Sequence, residues 1–199
     1  MAGLPQALAE QLALTPPQTE GPFYPDKLPL DTDNDLLRIN EAEKLAVGDI
    51  TYLSGRVLNP AGDPIRDAVV EIWQCDSTGV YLHSGTGGDK AKRDAGFQGF
   101  GRHATGADGS YLFRTIKPVP YPGRTPHIHV AVKLKGTSRW TTQCYIKGHP
   151  QNEEDFIWKG LGEPSVRDLV TVDFAPLKGA KAGELAATFN IVLGITPKE

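Results

Sequence analysis

Tyr52-Leu53-Ser54-Gly55-Arg56-Val57-Leu58 runs into Asn59-Pro60-Ala61-Gly62-Asp63-Pro64, and Ala68-Val69-Val70-Glu71-Ile72-Trp73-Gln74 follows. Two runs rich in β-branched and aromatic residues, separated by Asn, Pro, Gly and Asp, read as strand, turn, strand. The pattern recurs at Ser110 to Ile116, Ile128 to Leu134, Trp140 to Ile146, Leu169 to Phe174 and Ala187 to Leu193, and Asp108-Gly109 marks another turn. Seven short strands with almost no helical periodicity predict an all-β chain, an antiparallel β-sandwich or barrel, of which the sandwich is the reading adopted. Gly85 to Gly101 is too polar and glycine-rich for a core strand, and Gln151 to Ser165 reads as a second long loop in which Phe156 and Trp158 cover apolar surface. Long loops on a rigid sandwich are common carriers of an active site.

Composition bounds the rest. A chain of 199 residues fits one domain. Its 39% hydrophobic and 23% charged residues exclude wholesale disorder, a coiled coil and a collagen-like fibre. No apolar run reaches the roughly 18 to 20 residues of a membrane helix, and a net charge of −3 argues against nucleic acid or anionic lipid as partner. Cys75 and Cys144 permit at most one internal disulfide. Residues 1–25 lack the features of a secretory signal, so a cytoplasmic protein is expected. Gln6 to Leu14 has the pattern of one or two helical turns, stopped by Pro16, Pro17 and Pro22. Asp31 to Glu43 is polar and acidic, as in an arm lying on a surface. Residues 1–49 therefore read as an extended N-terminal arm packing on a core of residues 50–199.

Chemistry concentrates in a few side chains. His127-Ile128-His129 opens a strand, and strand residues two apart project to one face, so both imidazoles can meet one metal ion. The same pair also occurs on solvated strand faces that bind nothing. A cupin-type iron or zinc site would place Glu four or five positions further on, where Lys133 and Leu134 stand. Tyr121 lies in the tight Tyr121-Pro122-Gly123-Arg124-Thr125-Pro126 loop, and Tyr81 follows the strand that contains Trp73. A lone tyrosine is ordinarily a half-buried aromatic, because a phenol ionising near pH 10 becomes a ligand only beside a strongly charged cation such as ferric iron.

The runs Gly55-Arg56-Val57-Leu58, Gly62-Asp63-Pro64-Ile65, Val70-Glu71-Ile72-Trp73-Gln74-Cys75-Asp76, Gly79-Val80-Tyr81, Gly99-Phe100-Gly101-Arg102, Tyr111-Leu112-Phe113-Arg114, Tyr121-Pro122, Pro126-His127-Ile128-His129 and Thr142-Gln143 together resemble the intradiol ring-cleavage dioxygenases. They follow that family's order over roughly residues 50 to 150, and Thr19-Glu20-Gly21-Pro22-Phe23-Tyr24 resembles its entry to the catalytic domain. Without a long helical N-terminal dimerisation region, the chain is most similar to the protocatechuate 3,4-dioxygenase branch.

The resemblance implies one non-haem Fe(III) held by Tyr81, Tyr121, His127 and His129, which opens a catechol-type aromatic with O2 between its two hydroxyl-bearing carbons. It implies that Tyr121 also acts as a base, that Arg124 stabilises developing negative charge, that Gln143 hydrogen-bonds substrate or oxygen, and that Tyr24 lines the substrate mouth. Taken alone, Arg124 also fits an exposed loop arginine paired with a carboxylate, and Gln143 a strand glutamine satisfying backbone groups. The loop from Tyr121 to His127 is shorter than in typical protocatechuate enzymes, Gly123 replaces a frequent Trp, and Cys75 and Cys144 stand where an Ala and an aliphatic residue are common. Those enzymes pair two unlike chains. This one carries every ligand position, which suits a homo-oligomer. The rivals are a transthyretin-like, non-catalytic binding module, whose Gly55, Val57, Gly62, Pro64, Ala68 and Val70 pattern is shared, and an enzyme of the same fold using another, divalent metal.

Overall fold

A computed structural model describes residues 11–39, 44–86, 88–180 and 182–194. Among them, ten strands form two sheets. In the first, β1 (Ile50–Leu58) pairs antiparallel with β4 (Ser110–Ile116) on one side. On its other side it pairs in parallel with β9 (Leu185–Thr188) and β10 (Ile191–Val192), and β9 pairs with β8 (Ala175–Pro176). The second sheet runs β3 (Phe100–Ala104), β2 (Val69–Trp73), β5 (His127–Lys133), β6 (Trp140–Ile146), β7 (Thr171–Val172). No helix among the described residues is long and apolar enough to cross a membrane.

The opening stretch forms its two strands and its turn, where Asn59 and Asp63 close a side-chain and backbone loop. The turn joins the two sheets, so β1 and β2 face each other across the core. Alternation drives this packing: Leu53 and Val57 of β1, Val70 and Ile72 of β2, and Ile128, Val130 and Val132 of β5 all lie in the intersheet core. Gly55 permits the closest approach, since a Cβ there would sit 1.9 Å from the Phe189 carbonyl oxygen.

Several local expectations change. β3 was not expected, because Gly101, Arg102 and His103 give it little strand propensity; pairing with β2 forms it, and Gly101 admits Leu36, whose side chain a Cβ would meet at 2.6 Å. The run ending at Leu193 splits into β9 and β10, and the one at Leu169 shrinks to β7. Gln151 to Ser165 is not plain loop but contains a 3₁₀ turn, Pro150–Glu154, and two short helices, α1 (Phe156–Lys159) and α2 (Pro164–Asp168). Trp158 covers the core as expected, whereas Phe156 is exposed.

The acidic segment after Asp31 is also more than a surface arm. Asp33 and Asp35 accept the backbone N–H groups of Asp35 and Leu37, and Leu36 and Leu37 thereby turn into the core. Residues 40–43 of that segment lie outside the described residues. The helical turns expected over Gln6 to Leu14 fall partly outside them as well. Gln11 to Leu14 form no helix, and Leu12 N–H donates to the Pro60 carbonyl. Both cysteines are free and buried, Cys144 in the intersheet core and Cys75 among the aromatics of the outer face.

Gly55→Ala is expected to destabilise the protein by about 3 kcal/mol, because a backbone carbonyl cannot yield as a side chain does. Denaturant unfolding of the two proteins measures it, and equal midpoints would show that β1 and the Phe189 segment separate readily.

Candidate active site

The second sheet is buried on both faces. While Ile128 and Val130 point into the core, His127 and His129 point to the outer face, where both are 1% exposed. They do not stand on a solvated strand. The neighbours sharing this face follow from register: Trp73 and Gln143 flank His129 across β2 and β6, and Tyr145 lies beside His127. Trp73 stacks on the His129 ring at 4.8 Å and 7°.

Two turns bring in the tyrosines. After β2, Asp76 accepts the N–H groups of Thr78 and Val80 and the Thr78 hydroxyl, and Gly79 takes a φ of 81°, delivering Tyr81 to the histidines. Tyr121-Pro122-Gly123-Arg124 is a tight turn closed by Arg124 N–H to the Tyr121 carbonyl, with Pro second and Gly123, at φ 79°, third, the residue order of a type II turn. The four rings form a closed circuit: Tyr81 to Tyr121 at 5.3 Å, Tyr121 to His127 at 5.5 Å, His127 to His129 at 4.7 Å and His129 to Tyr81 at 5.8 Å.

The protonation states follow from the neighbours. His127 Nδ1 lies 2.7 Å from the Thr125 carbonyl, which only accepts, so Nδ1 carries the proton and Nε2 presents a lone pair. That Nε2 is 3.1 Å from Nε2 of His129. Burial, and then the Arg124 charge, lowers the pKa of His127 to about 3, and burial together with His127 holds His129 well below its usual range, so both are neutral near pH 7. Burial pushes the Tyr81 phenol well above 10, reinforced by Cys75 and Tyr121. Tyr121 is raised by burial too, but Arg124 opposes the rise. The Tyr81 hydroxyl and His129 Nδ1 are buried without a hydrogen-bond partner.

Arg124 is held from three sides. Its Nε donates to Asp155 at 2.8 Å, one terminal nitrogen to the Gln143 oxygen at 2.6 Å, and the other to the Tyr121 hydroxyl at 3.2 Å, with His127 Nε2 at 3.5 Å. Arg124 and Asp155 are 8% and 0% exposed. Burial alone would raise the Asp155 carboxyl, but the N–H groups of Trp158 and Thr125 and the guanidinium overcome it and hold the pKa below 3.8. Gln143 also accepts from Tyr145 and donates to the Thr19 carbonyl, so most of its capacity is spent within the protein.

Tyr24 sits behind this group. Its hydroxyl donates to Glu71 at 3.0 Å, its ring meets Trp73 and Phe100, and among the described residues it makes no ring contact with the four. Phe23 stacks on Tyr81 at 4.9 Å and meets Tyr121 edge-on at 6.0 Å. Sequence reading did not single out Phe23. It missed Asp155 as well; an Asp ahead of Phe156-Ile157-Trp158 is a readable helix N-cap, but nothing local says that its second oxygen reaches Arg124. Beside Tyr121, Gly123 and Arg124 lies a cavity of about 200 Å³ bounded by Gln151 and Glu154, and a cleft of about 500 Å³ reaches Tyr81 between Leu28 and His83.

Two neutral imidazoles, two phenols and a fixed guanidinium thus share one buried face of a two-sheet sandwich. The model of the dioxygenase family matches residues 19–194. The chain is 36% identical over 173 residues to the protocatechuate 3,4-dioxygenase beta chain of Burkholderia cepacia, covering 83% of itself and 72% of that chain. It is 32% identical to catechol 1,2-dioxygenase 1 of Acinetobacter lwoffii, over 72% of itself and 50% of that protein. Among solved structures, the dioxygenase domain of a dioxygenase carbohydrate-binding protein fusion from Streptomyces sp. SirexAA-E superposes with a TM-score of 0.69 at 30% identity, covering 92% of this chain and all of that one. This chain belongs to the intradiol ring-cleavage dioxygenase family.

Asp155→Asn is expected to cost about 3 kcal/mol, because it leaves the Arg124 charge buried and unbalanced. The sign of its pH dependence is fixed: an acid depressed on folding stabilises above its unfolded pKa near 3.8, and that stability is lost as pH falls through the lower folded value. Denaturation measured from pH 7 down to pH 2 should therefore show a smaller acid-side loss in the variant; parallel curves would remove the ion pair from the account.

Proposed function

We propose that this chain is an iron enzyme that opens catechol-type aromatics between their two hydroxyl-bearing carbons, with Tyr81, Tyr121, His127 and His129 as ligands of a single non-haem Fe(III). The observation that carries this reading is the 3.1 Å approach of two neutral histidine Nε2 atoms inside a ring closed by two phenols. Lone pairs so close repel unless a proton or a cation lies between them, and metal–nitrogen bonds of about 2.1 Å at a right angle span nearly this distance. A buried, unpartnered phenol costs about 1 to 3 kcal/mol. Ligation as phenolate removes that cost, and two phenolates offset two of the three charges of a hard trivalent ion. The names of the relatives, built on protocatechuate and catechol, support the substrate class. A passive sandwich has no use for this donor set.

When bound, Fe(III) supplies the positive charge that stabilises both phenolates and the deprotonated substrate. The protein supplies the rest. Tyr121 accepts the Arg124 hydrogen bond beside the smaller cavity, so its phenolate is the one placed to accept a proton from a substrate hydroxyl, while Tyr81, 2% exposed and stacked by Phe23, stays an anion. Arg124 places a fixed charge where the substrate ring becomes electron-rich, in the manner of an oxyanion hole. Asp155 and Gln143 hold that guanidinium before substrate arrives, so little reorganisation is needed. Both atoms of O2 end in the cis,cis-muconate-type diacid, and no external reductant is consumed. One kind of chain provides every group named, which suits a homo-oligomer.

Loading the purified protein with ferric iron should give a visible phenolate-to-iron absorption that shifts on adding catechol. His127→Ala or His129→Ala should lower iron content and turnover together, about a hundredfold in activity, as measured by metal analysis and oxygen uptake. A colourless ferric-loaded protein, or a histidine variant with full iron and turnover, overturns the proposal.

Substrate range follows from Gly123, around which a Cβ would meet nothing within 4 Å. A misfit of one methylene-sized group in a packed pocket is worth about 1 to 3 kcal/mol, and this wall is absent. Catechol, 4-methylcatechol, protocatechuate and hydroxyquinol are expected to give kcat/KM values within roughly a hundredfold of one another. Turnover confined to one of them would place the selective wall elsewhere.

A further inference from the structure

Glu71 lies at the middle of β2, two residues before Trp73, and its side chain points to the outer face of the sheet rather than into the intersheet core. It is 5% exposed. Around its carboxylate stand the Tyr24 hydroxyl at 3.0 Å, Arg102 at 3.2 Å and Arg139 at 3.8 Å. Arg139, from the turn before β6, also pairs with Glu20 at 2.6 Å and lies over the Tyr24 ring at 3.9 Å. The segment from Glu20 to Tyr24 is therefore fastened at both ends. Between those ends, Gly21 at φ 70° backs onto His129, where a Cβ would meet Cε1 at 3.3 Å, and Phe23 stacks on Tyr81.

We propose that Glu71 and Arg139 form a clamp that positions Gly21 to Phe23 as the wall of the substrate chamber, making both positioning residues for the reaction. This rests on the function proposed above. The clamp holds one side of the chamber through the Glu20 carboxylate, the Tyr24 hydroxyl and the Tyr24 ring, none of which touches the four ring donors. Its strength comes from several modest contacts acting on one short segment: a charge-assisted hydrogen bond, a partly exposed ion pair and a cation lying over an aromatic face. Loosening it leaves the donors on β5 and in their two turns where they are, because their own backbone bonds fix them. It lets Phe23 leave Tyr81, so the substrate meets a wider chamber and binds less well, while the chemistry, once substrate is bound, keeps Arg124 and Tyr121.

Arg139→Gln and Glu20→Gln test this at partly exposed positions, where folding survives; Glu71→Gln tests it at the buried end. In the metal-free proteins, the amides of Gly21 and Phe23 should exchange with solvent about tenfold faster than in the wild type, with exchange in β5 unchanged. In the iron-loaded proteins, KM for catechol should rise about tenfold with kcat within about threefold and iron content intact. Arg139→Lys, which keeps the pair with Glu20, should recover part of the loss. Wild-type exchange and KM in folded Arg139→Gln and Glu20→Gln overturn the clamp, as does a parallel loss of kcat and iron. If the iron-loaded wild type turns over no catechol, the functional reading fails, and the exchange rates still decide whether the segment is held in this way.

Discussion

The two-residue repeat of β5 governs everything at the site. Ile128, Val130 and Val132 close the apolar space between the sheets, and the same pleat carries His127 and His129 to the opposite side. A slip of one residue would bury the imidazoles among aliphatic side chains and turn the valines outward. Register is strongly specified because both faces are covered. The intersheet core fixes one face, and the aromatic layer of Trp73, Tyr81 and Phe100 fixes the other.

Burying so many polar groups is expensive unless each is matched. Arg124 meets this condition through Asp155, Gln143 and Tyr121, and Glu71 through Tyr24 and two arginines. These networks lie on either side of the imidazole pair, one beyond Tyr121 and one behind Trp73. The Tyr81 hydroxyl, His129 Nδ1 and Trp73 Nε1 of this layer are left without such a match. Of these, the Tyr81 hydroxyl belongs to the four-ring circuit in which the two Nε2 atoms face each other.

Much of this was legible from local pattern. β4 and β6 have the bounds their hydrophobic runs give them, His-x-His stands on one strand face, and Tyr121-Pro122-Gly123-Arg124 turns as its proline and glycine dictate. What was not legible depends on partners far away in the chain. β3 is a strand because β2 lies beside it, and Leu36 is core because Gly101 leaves room. β9 and β10 run parallel to β1, a pairing no turn sequence announces. Asp155 and Phe23 belong to the site through contacts 31 and 58 positions away, to Arg124 and Tyr81 respectively. A resemblance carried by short motifs points to residues within those motifs, and so passes over the groups that hold them in place.

The arm has a bearing on how the molecule is made. Thr15 exchanges hydrogen bonds with Val192 through both its N–H and its hydroxyl, and Gln18 binds Thr141 and Gln143. Residues of the arm thus have partners 125 and 177 positions later in the chain, and β1, the centre of its sheet, waits for β9 and β10 to complete its second edge. A nascent chain halted before residue 185 possesses all the side chains of the proposed iron site yet lacks β9, β10 and the partner of Thr15. The early end of the arm is thus seated only once β10 has been made, whereas Gln18 and Glu20 find Thr141, Gln143 and Arg139 earlier.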